Sequence, residues 1–198
     1  MKKDRLKQQM DFLIEVDKLK NVFRQSFITS NDRNENDAEH SWHMAMFITI
    51  LEEYTPENTN ILKVIKMALI HDLVEIYAGD TFLYSDTSND EKLLKETESA
   101  EKIFSILPQD QKQEFISLWE EFEEKSTNES RFCATIDRVQ PILLNYLTEG
   151  GTWRKYSVCK SQVLDKGFAI FEYANPEIKN YILEIIEDSV KKGYLINK

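Results

Sequence analysis

His71, Asp72 and Glu75 stand in "ALIHDLVEIYAGD" (Ala68 to Asp80), and His40 and His43 stand in "AEHSWH", so imidazole and carboxylate groups interrupt strongly apolar helical sequence. An ionisable group withdrawn from water needs a partner or a metal, which marks such interruptions as candidate binding sites. Neighbouring helical side chains diverge by about 100° around the axis, so His71 and Asp72 can approach one ion from adjacent directions but cannot enclose it. Other helices must contribute. The chain offers His40, or His43 one turn along, and Asp137 in the apolar "ATIDRVQPILL". Two imidazoles and two carboxylates suit a divalent transition metal with positions left open for water and substrate. Each residue also has a structural use: a helical histidine often serves as a hydrogen-bonded core group, and Asp137 with Arg138 reads equally as a buried ion pair.

The elements that position these groups are helices. Five glycines and four prolines leave little material for β-turns, and apolar residues recur at three- and four-residue spacing, which predicts an all-α chain. A first helix is expected over Lys3 to Gln25, with Leu6, Met10 and Leu13 marking its turns and Phe12, Leu19, Val22 and Phe23 widening the apolar face. Thr29 to Asn36 reads as a loop. Asp37 then caps a helix that carries His40 and His43 and ends near Tyr54. Thr55-Pro56 restarts helix, with Asn60 as a later start, and the apolar run Ile61 to Ile76 is continuous enough to be central. After Gly79 comes the loop "GDTFLYSDTSND", whose aromatics Phe82 and Tyr84 suit a pocket rim. Ser88 and Glu91 form a capping-box pattern opening a helix to Leu107, where Pro108 breaks it. Helices follow over Gln109 to Lys125, over Asn128 to Glu149 with a bend at Pro141 and closure at Gly150-Gly151, and over Ser157 to Tyr173 and Pro176 to Gly193.

At 198 residues the chain suits one domain able to bury a core without disulfides. With 25 basic against 35 acidic residues its formal charge is −10, which disfavours nucleic-acid polymers and anionic membranes as partners. Cys133 and Cys159 are too far apart in sequence for a metal-type pair and read as isolated core thiols of a reducing compartment. The N-terminal segment carries charge throughout and no stretch approaches the length of a membrane span, so the expected location is cytoplasmic.

The ordered set of His40, then His71-Asp72, then Asp137 resembles the metal-binding signature of the HD-domain superfamily of metal-dependent phosphohydrolases. "ENDAEHSWHMA", "ALIHDLVEIYAGD" and "ATIDRVQPILLNY" are similar to the branch containing 5′-deoxynucleotidases, and the resemblance covers about residues 19–146, with the C-terminal helices of 157–198 expected to pack on that core. It implies a compact multi-helix HD-domain bundle that is typically a homodimer. It implies metal ligation by His40, His71, Asp72 and Asp137, a role for Glu75 in positioning or activating the attacking water, and a contact from Asp80 to the nucleotide sugar. Arg24, in "LKNVFRQSF", matches an arginine that contacts phosphate in that branch, although the following aromatic of some members is here Gln25. Arg33 and Asn36, in "DRNEND", are alternatives for the phosphate contact or for buttressing the site.

The residues themselves agree with these roles. Glu75 lies four positions after His71 and three after Asp72, so on a helix it shares their face. Asp80 falls beyond the helix end, on the rim, where it is also suited to a simple turn. His40, His43 and His71 are the chain's three histidines, too few for the two-metal branches, so one divalent transition metal per chain is expected, with Mn, Co, Zn, Fe and Ni all compatible. The function expected is hydrolysis of (deoxy)nucleoside 5′-monophosphates to nucleoside and phosphate. The alternatives are a metal- and nucleotide-binding scaffold without turnover, or an HD hydrolase of a nucleoside polyphosphate or another small phosphoester.

Overall fold

The structure is a computed structural model that describes residues 4–84 and 89–198, without the side chains of 89, 90 and 168–170. Helix α1 (Arg5–Val16) passes through a 3-10 segment (Asp17–Asn21) into a hairpin of β1 (Phe23–Phe27) and β2 (Asn34–Asn36). There follow α2 (Asp37–Ile50), α3 (Ile61–Ile70), a 3-10 turn (His71–Val74), α4 (Glu75–Ala78), α5 (Asn89–Phe104), α6 (Gln109–Glu124), α7 (Asn128–Leu147), α8 (Gly151–Lys155), α9 (Lys160–Phe171) and α10 (Pro176–Lys191). The fold is an all-helical bundle with one small antiparallel hairpin. No helix among the described residues is long and apolar enough to cross a membrane.

The twenty-residue α7 is the axis of the bundle and packs against α2, α3, α6, α9 and α10. Thr127 caps it by accepting from the Ser130 backbone N–H, and Ser130 completes the box. Met44 and Ile48 of α2, Val64 and Met67 of α3 and Ile136 of α7 are fully buried where these helices meet, each contributing about 1.5–3 kcal/mol of burial. α2 begins at a second capping box, Asn36 with Glu39. At the far end of α7 the chain turns through Gly150, whose φ of 91° and whose missing Cβ, 2.6 Å from the Tyr194 carbonyl had it been present, require glycine.

Several expectations are corrected. The first helix stops at Val16, and Leu6, Met10 and Leu13 are exposed, leaving Phe12 as its buried residue. Val22 is already extended and Phe23 opens β1, and the expected loop of Thr29 to Asn36 contains its partner β2. Asn36, not Asp37, caps α2. Helix restarts at Asn60 and not at Thr55-Pro56, because the Asn60 side chain accepts from the Lys63 N–H. The run Ile61 to Ile76 is not one helix, since it tightens to 3-10 geometry at His71–Val74. α8 was not expected, and Cys159 is half-buried at the start of α9, where its thiol is hydrogen-bonded to Gln162, while Cys133 is a core thiol. Ser88 lies outside the described residues.

The hairpin is irregular. Phe23 pairs with Asn36 and Phe27 with Asn34, so Arg24, Gln25 and Ser26 face the single residue Glu35 and β1 bulges there. Asn34 Nδ2 donates to the Arg24 carbonyl and the Thr152 hydroxyl of α8 to the Gln25 carbonyl, which pins the bulge against the bundle.

Candidate metal and substrate site

α2, the 3-10 turn after α3 and α7 bring His40, His71, Asp72 and Asp137 together. One donor atom each from His40, His71 and Asp72 lies within 4.8 Å of the others. Asp137 Oδ1 is 3.1 Å from His40 Nε2 and 3.8 Å from His71 Nε2. Pro141, four residues on in α7, has no N–H to give to the Asp137 carbonyl, yet the helix continues through it.

The outer ring nitrogens are held so that the inner ones face this centre. His71 Nδ1 lies 2.9 Å from the Ala68 carbonyl, which can only accept, so Nδ1 carries a proton and Nε2 is the nitrogen left for a ligand. His40 Nδ1 lies 3.0 Å from Gln140 Oε1, and that amide is oriented by Nε2 donating to Glu35 Oε1 at 2.6 Å. His71 Nε2 is buried without a hydrogen bond, although Asp72 Oδ1 is 3.0 Å away. An orphaned imidazole nitrogen ringed by carboxylates is the donor set a divalent metal needs, so the residues present fit the group.

Electrostatics separate the members of the site. Burial and the Arg24 charge push the His40 pKa down to about 4, so the ring is neutral. Burial opposes the charge on His71, but the Asp72 carboxylate outweighs it and raises the pKa to about 9 in the metal-free protein. Burial also opposes ionisation of Asp137, and Arg138 with the two imidazoles holds its pKa well below the usual carboxylate range. Glu75 moves the other way: burial, then the charges of Asp72, Asp37 and Asp80, raise it well above an ordinary glutamate.

Arg24 projects from the β1 bulge with its side chain 13% exposed, donates to Asp72 Oδ2 at 2.9 Å, and lies 3.7 Å from Asp37 and 3.8 Å from Glu35. A cavity over the cluster is lined by Arg24, His71, Asp72, Glu75, Asp80 and Asp137, with Phe82 and Tyr84 on its wall. Asp80 follows Gly79, which closes α4 at φ 78°. Arg33 is not brought to this cavity: its guanidinium pairs with both oxygens of Glu39 at 2.6 and 2.8 Å on the surface. Asn36 is occupied as the α2 cap. His43 is half-buried one turn beyond His40, accepting from Gln140 Nε2 at 3.2 Å and packed on Phe47.

Sequence reasoning did not place Glu35, Asp37 or Gln140 in the site. Asp37 is fully buried with neither oxygen hydrogen-bonded, and it forms a second cluster with Asp72 and Glu75 within 4.8 Å, against which Arg24 lies as the resident cation. The capping pattern Asn36-x-x-Glu39 was the available signal: it shifts the cap by one residue and puts Asp37 on the His40 face, three positions earlier. Gln140 lies likewise three positions after Asp137.

A family profile described as HD domain matches residues 16–179. A solved structure titled as a predicted metal-dependent phosphohydrolase from Magnetospirillum magnetotacticum MS-1 superposes with a TM-score of 0.92 at 42% identity, covering 96% of this chain and 95% of that one. 5′-Deoxynucleotidase HDDC2 of Homo sapiens is 30% identical over 135 residues, 68% of this chain and 65% of the human protein, so the match spans just under two thirds of that relative's length. 5′-Deoxynucleotidase YGK1 of Saccharomyces cerevisiae is 24% identical over 185 residues, covering 91% of this chain and 82% of the yeast protein. With the profile running from the end of α1 into α10 and the histidine and aspartate donors meeting at one buried point, this chain belongs to the HD-domain family.

Proposed function

We propose that the protein is a metal-dependent phosphomonoesterase that converts (deoxy)nucleoside 5′-monophosphates to nucleoside and phosphate. The observation that carries this reading is the convergence of His40, His71, Asp72 and Asp137 beside Arg24 in one cavity, and the names of the human and yeast relatives support the substrate class. His40 and His71 through Nε2, with one oxygen each of Asp72 and Asp137, would hold one ion per chain, since the second carboxylate cluster has no imidazole and already faces Arg24. A divalent ion held there, Mn, Co, Zn, Fe or Ni, supplies Lewis acidity toward the phosphate and the attacking water.

The chain's own groups do the rest. Arg24 keeps its charge, because the Asp72, Asp137, Glu75 and Asp80 carboxylates outweigh the opposing effect of burial, and its planar fork suits a phosphate dianion. With a divalent charge at the site to offset burial and the Asp72, Asp37 and Asp80 carboxylates, which disfavour its ionised form, Glu75 through Oε2, buried without a partner, takes a proton from water as it attacks phosphorus and returns one to the 5′-oxygen as the phosphoester bond breaks. Asp80 accepts from a sugar hydroxyl at the rim, and Phe82 with Tyr84 offers an apolar wall to the base. Chain-wide, we take residues 1–198 as one domain acting as a homodimer in the cytoplasm, a reading supported by the family resemblance and by the free thiols of Cys133 and Cys159.

The test is phosphate release from deoxy- and ribonucleoside 5′-monophosphates across divalent metals, with Glu75→Gln assayed alongside the parent. Release from 5′-monophosphates is expected in the parent. Nucleotide binding without release under every metal overturns the proposal in favour of the scaffold, and release confined to triphosphates moves it to a polyphosphate substrate.

A further inference from the structure

Two arginines reach the cavity, and they are unequally satisfied. Arg24 donates a well-formed hydrogen bond to Asp72, whereas Arg138, on α7 beside Asp137, places Nη1 3.3 Å from Asp137 Oδ2 without a hydrogen bond. Its side chain is 24% exposed and its Nε is buried with no acceptor. Among the described residues the Arg138 side chain makes no hydrogen bond, although it lines the cavity with five N–H donors to place. A guanidinium that lines the cavity beside a metal-site carboxylate is placed to donate to an anionic group there.

The two metal-site carboxylates are divided in the same manner. Asp72 turns Oδ1 to His71 and Oδ2 to Arg24, and Asp137 turns Oδ1 to His40 and Oδ2 to Arg138. Each carboxylate thus has an inner oxygen for the imidazoles and an outer oxygen against an arginine.

We propose that Arg138 is the second guanidinium anchor of the site: it positions Asp137 as Arg24 positions Asp72, and its cavity-lining guanidinium binds the substrate's phosphate alongside Arg24. The second half rests on the phosphomonoester reading above. The first half, orientation of a ligand by the residue behind it, does not.

The experiment measures Mn2+ affinity of Arg138→Met by chelator competition without substrate, and inorganic phosphate binding by calorimetry at saturating Mn2+. Mn2+ affinity is expected to fall roughly 10- to 100-fold. Phosphate affinity is expected to fall about tenfold, with partial recovery in Arg138→Lys, which keeps the charge and loses the fork. Parental phosphate affinity in Arg138→Met overturns the anchor, and parental Mn2+ affinity overturns the positioning of Asp137. If Arg138→Met loses its helical circular dichroism, Arg138→Gln is read by the same two criteria. Should the parent release no phosphate from any nucleotide, the functional reading fails while both binding measurements still decide the role of Arg138.

Discussion

The two ends of the β1–β2 hairpin carry one arginine each, and the two have opposite circumstances. Arg33 makes the better ion pair, bidentate to Glu39 at 2.6 and 2.8 Å, and is 48% exposed. Arg24 makes one hydrogen bond and faces two further carboxylates at 3.7 and 3.8 Å, but it is 13% exposed. Water and salt screen the first pair until little remains of it, while the second is screened far less. Burial rather than bond geometry therefore decides which charge matters, and the bulge that sets three residues of β1 against Glu35 decides which arginine is buried.

The comparison breaks if the two arginines respond alike to removal. Arg24→Met should lower phosphate release by about 10²- to 10³-fold, as for loss of a preorganised donor to a charged transition state. It should also destabilise the protein by roughly 3–5 kcal/mol in urea melts, because Asp72, Asp37 and Glu35 are left without their cation. Glu75→Gln sharpens the contrast between charge that binds and charge that moves a proton: hydrolysis should fall about a hundredfold at unchanged metal content. Its melting midpoint should hold or rise, since burial and the Asp72 and Asp37 charges already disfavour the ionised carboxyl.

A smaller effect is expected from pH. The folded-state pKa of His71 is raised from 6.5 to about 9, so the folded metal-free protein binds more protons than the unfolded chain between those values. This contribution is complete below pH 6.5 and is lost as pH rises through about 9. Chelator-stripped protein should lose stability over that window by urea titration, and His71→Gln should flatten the decline. At the bottom of the scale, Arg33→Ala should change hydrolysis by less than about twofold and leave the melting midpoint where it was, as for other exposed pairs. A tenfold loss there would return Arg33 to the site.

The metal-site candidates were legible because buried imidazole and carboxylate groups stand out in apolar helical sequence. What sequence could not do was choose among equivalents. His40 and His43 differ by one turn, and only the packing of α2 on α7 sends the first to Asp137 and the second to Gln140. The hairpin was invisible because Leu19, Val22 and Phe23 continue a helical spacing, and strands of five and three residues hold too few positions to display alternation. Glu35 was read as part of a solvated polar loop and Asp37 as an exposed helix cap, so neither was expected in the site. For Glu35 the burial arises from the bundle closing over the hairpin, a tertiary event with no local signature, whereas for Asp37 the Asn36-x-x-Glu39 capping pattern was the one local sign.

The hydrogen bonds that order the site join residues far apart in the chain. His40 to Asp137, His40 to Gln140 and Glu35 to Gln140 span 97, 100 and 105 positions. Closing loops of that size costs entropy that these contacts cannot repay until α7 has docked on α2 and α3. During synthesis, His40 and His71 are therefore present long before the aspartate that completes their set. An ion or phosphate that binds only the assembled set consequently favours the folded over the unfolded chain, by an amount that grows with its concentration.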